Sequence, residues 1–328
     1  MRQRRIKVAP EDGDAVYHCI SRTVNGERLF EPSDREVLRN QMRVAAEYCG
    51  VEVLTYVILS NHFHIILRVS QKTLLSDEEL LRRYRVLYPK PTKYQTARLE
   101  VIRAQLKTGG KEADTWRRRQ LAQMGDLSSY MKLVKQRFSI WFNKTHRRYG
   151  TLWAERFKSV LVEFGSGALR TSSAYVDLNG VRAGLVVDPK DYRFCGYAEA
   201  VAGNRLAQQG LCKVLGIDDW NEAHQAYRQI IFSTGATPHE RKANLSLEQL
   251  TEVVQAKGRL PLATVLRSRM RYLIDGAVLG SRAFVEEHLA AYRRNTGTRS
   301  RTAPRLLPDL TDWGDLAILR GIRKNSLE

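Results

Sequence analysis

The sequence predicts an α+β fold, and three observations carry that expectation. Short runs of β-branched and apolar residues alternate with stretches whose apolar residues recur every three or four positions. The first of these run in the order β-α-β-β, with the last two strands meeting at a Ser-Asn turn and so lying antiparallel. The chain has 328 residues, 43% hydrophobic and 27% charged, enough for one large domain or two ordinary ones with an apolar core.

Each element follows from local chemistry. Residues 1–13 are basic and polar and read as an arm. Residues 15–22 alternate as a first strand, which Asn25-Gly26 breaks. Ser33 or Asp34 caps a helix running to about Tyr48, with Val37, Leu38, Met42, Ala45 and Ala46 on its buried side and Gly50 ending it. Residues 51–59 and 62–69 are the paired strands. Residues 70–125 read as a helical insertion interrupted by Pro89, Pro91 and Gly109-Gly110. From 127 to 149 runs an amphipathic helix with Leu127, Tyr130, Met131, Val134, Phe138, Trp141 and Phe142 on one side. Its opposite face carries Lys132, Lys135, Arg137 and Lys144, a solvated face or a phosphate-contacting one. Residues 156–163 are a further strand, and 168–180 a helix stopped by Asn179-Gly180.

Apolar texture thins near residues 203–209, so a boundary is expected there, giving domains at 1–204 and 205–328. The second reads as an all-α extension, with helices at 220–231, 246–255, 261–274 and 281–293. A helix-turn-helix-like module bearing Arg267, Arg269 and Arg271 and a plain helical bundle fit it equally. The basic tail from Asn295 is expected to be disordered unless nucleic acid orders it.

Lys and Arg number 54 against 35 Asp and Glu, a formal net charge of +19. Such a surplus on a folded chain favours a polyanionic partner, nucleic acid being the commonest. No apolar run approaches eighteen residues and no signal-peptide pattern is present, so no membrane partner and a cytoplasmic, nucleoid-associated location are expected. Cys19, Cys49, Cys195 and Cys212 lack C-x-x-C spacing, which argues against a zinc ribbon and a disulfide framework. There is no Gly-rich phosphate loop of the P-loop type and no G-x-S-x-G elbow.

The residues that carry chemistry lie in two distant stretches. In Ser60-Asn61-His62-Phe63-His64-Ile65 the side chains alternate, so His62 and His64 share one face and Phe63 points into the core. Two imidazoles beside a turn are either surface histidines on a half-exposed strand or half of a metal site. The second stretch, Tyr175-Val176-Asp177-Leu178-Asn179, places Tyr175 and Asn179 one helical turn apart on one face. A divalent cation on His62, His64 and Asn179 would be a Lewis acid for a phosphodiester, and Tyr175 beside it would be the nucleophile.

These stretches resemble the His-hydrophobic-His (HUH) motif and the tyrosine helix of the single-tyrosine HUH endonucleases. The chain is most similar to the REP-associated tyrosine transposase group, relatives of the insertion-sequence transposases. Tyr17-His18-Cys19-Ile20-Ser21-Arg22 and Leu152-Trp153-Ala154-Glu155-Arg156-Phe157-Lys158-Ser159 resemble that group's first strand and the run before its last strand. The resemblance covers about residues 14–200 apart from the insertion. It implies a ferredoxin-like antiparallel sheet with packed helices. It also implies cleavage and rejoining of single-stranded DNA beside hairpin repeats through a 5′-phosphotyrosine, with Mg²⁺ or Mn²⁺. By position, Tyr175 would be the nucleophile, and His62, His64 and Asn179 the metal ligands. Arg4, Arg5, Arg22, Arg156, Lys158 and Arg182 are the expected DNA contacts. Where family members have Pro after the Asn, this chain has Gly180, which leaves the catalytic positions untouched but loosens the helix end.

Two other classes fit the residues: a nucleic-acid-binding regulator that keeps the fold without turnover, and a zinc hydrolase built on the two histidines. The hydrolase lacks a nearby carboxylate base, because Asp177 faces away from the Tyr175 and Asn179 side. Monomer and homodimer both remain open.

Overall fold

A computed structural model describes residues 6–8, 13–70, 75–89, 99–232, 276–296, 303–306 and 316–319. The chain begins with β1 (Ala15–Arg22), α1 (Pro32–Cys49), β2 (Glu52–Ile58) and β3 (His62–Val69). Three helices follow, α2 (Asp77–Leu87), α3 (Leu99–Thr108) and α4 (Lys111–Leu121), then α5 (Leu127–Thr145), β4 (Lys158–Val162), α6 (Gly167–Asp177) and the short α7 (Asn179–Arg182). Beyond them lie α8 (Gly196–Val201), α9 (Arg205–Leu215), α10 (Trp220–Phe232), β5 (Val278–Ser281), α11 (Arg282–Thr296), β6 (Arg305–Leu306) and β7 (Leu316–Leu319).

The strands form one mixed, mostly antiparallel sheet in the order β2-β3-β1-β4-β5-β7-β6, only β4 and β5 running parallel. Because opposite residues in a ladder share a face, register sorts the side chains. Tyr17, Cys19, Phe63 and Ile65 go to one side, where α1 and α5 cover them; Tyr130 of α5 donates its hydroxyl to the Met42 carbonyl (3.3 Å). His18, Ile20, His62 and His64 go to the other, where α6 lies.

Helix α1 starts on a capping box: the Glu31 amide donates to the Asp34 carboxylate (2.9 Å), and Gly50 closes the helix at φ 62°. The helices at 77–121 form a small core of their own around Leu81, Ile102, Leu106 and Ala113.

Two expectations need correction. The C-terminal extension is not all helical, since β5, β7 and β6 continue the sheet from β4. A four-residue strand such as Val278–Ser281, directly followed by a helix, is too short to show a period of two, and its partners are distant in sequence. Nor does Asn179-Gly180 stop the chain's helical path: α6 ends at Asp177, and Gly180 sits inside α7. A Cβ at Gly180 would meet Tyr192 Cγ at 2.9 Å, so glycine is needed there for close packing of the Tyr192 ring. The positive φ that ends the segment belongs to Gly184, at 68°. Arg4, Arg5, the helices expected at 246–255 and 261–274, and residues 297–302 of the tail lie outside the described residues.

Candidate active site

The site forms where β1, β3 and α6 meet. His64, on β3 between β2 and β1 and 3% exposed, has its ring 6.0 Å from that of Tyr175, and His62 stands 5.2 Å from His64 at the strand's half-buried end. Burial, with His18, His62, Arg182 and Arg22 around it, pushes the His64 imidazole well below the ordinary histidine range, so it is neutral at pH 7.

Helix α6 is held against the sheet by a polar lock. Asp177, fully buried, accepts from the Thr55 hydroxyl of β2 (2.8 Å), the Tyr227 hydroxyl of α10 (2.6 Å) and the Tyr197 amide (3.1 Å). This side of α6 faces β2 and α10, while Tyr175 faces the histidines. The phenol is 1% exposed, and the Arg182 guanidinium lies over its ring at 4.3 Å from the centroid.

Asn179 has a structural bond pattern of its own. Its Nδ2 donates to the backbone oxygens of Tyr175 (2.8 Å) and Val176 (3.2 Å), satisfying carbonyls at the end of α6. An amide anchored through its nitrogen has its oxygen fixed as well.

Two residues outside the expected set also enter. His18 of β1 is buried, and its Nε2 lies 2.9 Å from His64 Nδ1. Asn61 places its Oδ1 2.6 Å from His62 Nδ1 and donates its Nδ2 to the Gly26 carbonyl (2.8 Å). The sequence held a signal for His18: it alternates inward with Ile20 along β1, and a buried histidine needs a polar partner.

Among the described residues, no group of three or more His, Cys, Asp and Glu side chains is placed to hold a metal ion. The Nδ1 atoms of His62 and His64 are both engaged, His62 by Asn61 and His64 by His18, so any divalent cation at this pair would be held through Nε2.

Cationic side chains gather at the His62 end of the sheet. Arg22 is paired opposite His62, and the segment entering β4 runs beside it, with the Ala154 amide donating to the Arg22 carbonyl (3.0 Å) and Thr23 bridging Trp153. That run carries exposed Arg156 and half-buried Lys158 to the same edge. Among the described residues no helix is long and apolar enough to cross a membrane.

No family model matches this chain, and no curated protein does. Among solved structures it is similar to a REP-associated tyrosine transposase bound to a REP hairpin, at 14% identity and a TM-score of 0.40, over 62% of this chain and 86% of that one.

Proposed function

We propose that the chain is a metal-dependent single-stranded DNA endonuclease and strand transferase that cleaves hairpin-associated DNA through Tyr175. The observation that carries the reading is a phenol, from a helix, set against the His64 imidazole, which stands beside His62 on one sheet face, with an arginine over the phenol. The strand order β2-β3-β1-β4, with α1 and α5 on one face, supports reading the core as a ferredoxin-like unit.

In this reading His62 and His64, with Asn179 as third donor, hold Mg²⁺ or Mn²⁺, which supplies charge stabilisation at the scissile phosphate. The Tyr175 oxygen attacks phosphorus and the bond to the 3′ oxygen breaks. The phenolic proton goes to solvent, and the leaving oxygen takes one up. The products are a 5′-phosphotyrosine and a free 3′-hydroxyl, and rejoining is the reverse attack by a hydroxyl on the phosphotyrosine. Arg182, now stacked on the Tyr175 ring, would move to a phosphate of bound DNA and uncover the phenol. Arg22, Arg156 and Lys158 would track the backbone leading to it.

The same burial of Tyr175 favours a second reading, a nucleic-acid-binding regulator in which the phenol stays covered. Incubation with an end-labelled single-stranded hairpin and Mn²⁺ separates the two. The nuclease reading expects a covalent adduct on a denaturing gel that Tyr175→Phe abolishes while hairpin affinity changes less than about threefold, since the hydroxyl is the attacking atom. Binding with no adduct from the unaltered protein would establish the regulator instead.

A further inference from the structure

We infer that Asn61 and His18 are positioning residues that fix the tautomers of His62 and His64, so that both rings present Nε2 to a divalent cation. This rests on the metal-site reading above and adds to it the two groups that prepare the ligands.

The orientation of the Asn61 amide is decided by its partners. One end of the amide faces the Gly26 carbonyl at 2.8 Å, and only the NH₂ end can bond there. The oxygen is therefore the end that meets His62 Nδ1 at 2.6 Å, and an amide oxygen only accepts. His62 must then carry its proton on Nδ1, which puts the ring's lone pair on Nε2. The Asn61 backbone is fixed too, since its carbonyl accepts from the Thr23 amide (2.9 Å).

His64 reaches the same state by a different route. Its Nδ1 meets His18 Nε2 at 2.9 Å, with ring centroids 5.1 Å apart and planes 28° apart. Nitrogens that close between nearly parallel rings whose centres are that far apart mean an edge-to-edge contact, the geometry of an in-plane N–H···N bond. One proton lies between the two nitrogens. If His64 donates, its Nε2 is a lone pair and His18 holds its other proton on Nδ1. If His18 donates, His64 carries its proton on Nε2 and cannot be a ligand through that atom. A His64 that binds a cation through Nε2 requires the first arrangement, in which His18 accepts. Cross-strand placement makes the contact possible: His18 and His64 lie on one face of adjacent strands, displaced by two residues in register.

The test reads tautomers and metal affinity separately from DNA cleavage. In the metal-free protein, long-range proton–nitrogen NMR of the imidazoles at pH 7.5 should show His62 and His64 protonated on Nδ1. Mn²⁺ titration followed by electron paramagnetic resonance should show roughly 10- to 100-fold weaker binding in His18→Leu and in Asn61→Ala, the usual consequence of losing a group that orients a ligand. His18→Gln, whose side-chain oxygen can accept from His64, should recover most of that loss at an unchanged melting temperature. A purely structural role for His18 would lower the melting temperature of both His18 variants without separating their Mn²⁺ affinities. Protonation of either ligand on Nε2, or wild-type Mn²⁺ affinity in both folded His18→Leu and folded Asn61→Ala, would overturn the inference while leaving the metal site standing. No Mn²⁺ binding by the unaltered protein would remove the metal reading, and this inference with it.

Discussion

At the scale of single residues, Asn179 occupies a position where two demands meet. The H-x-H pair and the Tyr175–Asn179 spacing were legible in the sequence because a strand's period of two and a helix's turn of 3.6 place side chains without knowledge of the rest. His18 and Asn61 are less legible as site residues. Their importance lies in hydrogen bonds to His64 and His62, and no period reports whom a polar atom will meet. For Asn179 the structure adds a donor role, since its Nδ2 caps the Tyr175 and Val176 carbonyls. Asn179→Ala removes both bonds and is expected to lower unfolding free energy by about 1–3 kcal/mol in a urea titration. As a metal donor it should also raise the Mn²⁺ concentration for half-maximal cleavage. Asn179→Asp divides the roles: a carboxylate serves a hard cation at least as well, but it cannot donate to two carbonyls. The Asp variant should keep the Mn²⁺ midpoint and lose stability, whereas the Ala variant loses both. An unchanged midpoint in Asn179→Ala would take this residue out of the metal set.

At the scale of elements, α6 carries Tyr175 on one side and its anchor on the other. That Asp177 faces away from Tyr175 follows from a spacing of two residues, and the structure bears it out with bonds to Thr55, Tyr227 and the Tyr197 amide. Tyr227 as partner was not legible, because it arrives on α10, fifty residues later. Burial raises the Asp177 carboxyl to about 7, against hydrogen bonds from Tyr227, Thr55 and Tyr197 that act to lower it. The folded protein therefore holds a proton between roughly pH 4 and pH 7 that the unfolded chain has released. Stability from this group is fully present near pH 4, falls as pH rises through that window by up to about 4 kcal/mol, and is flat above it. Asp177→Asn keeps an acceptor for Thr55 and does not titrate. Denaturant unfolding at pH 5 and pH 7.5 should show the wild type losing more stability than the variant between the two. Carboxylates with lowered values, such as Glu79 beside Arg82 and Arg83, are common to both proteins and cancel in the comparison. Parallel losses would show that Asp177 is charged in the folded state throughout.

At the scale of the whole molecule, the sheet, seven-stranded among the described residues, and the surplus of positive charge set what the protein can do. The charge is written in the composition, but the extent of the sheet is not. Strand β5 covers the edge that β4 would otherwise offer to another chain, and a parallel pairing made across more than a hundred residues leaves no local pattern. Of the cationic groups proposed to meet DNA, Arg22 and Lys158 lie in register near the His62 end of the sheet, Arg156 is on the run entering β4, and Arg182 stands over Tyr175. Each phosphate they neutralise on a single strand releases counterions, with a slope of about −0.7 in log affinity against log salt. Four such contacts predict a slope near −3 and roughly 50-fold weaker hairpin binding at 200 mM salt than at 50 mM. Replacing Arg156 and Lys158 together by Ala should weaken binding about equally for all sequences and make the slope shallower by about 1.4. Fluorescence anisotropy of a labelled hairpin across that salt range measures both. A slope that the double variant leaves unchanged would move the DNA path off the β4 edge, and a flat response in the unaltered protein would mean that its charge serves some partner other than a nucleic acid.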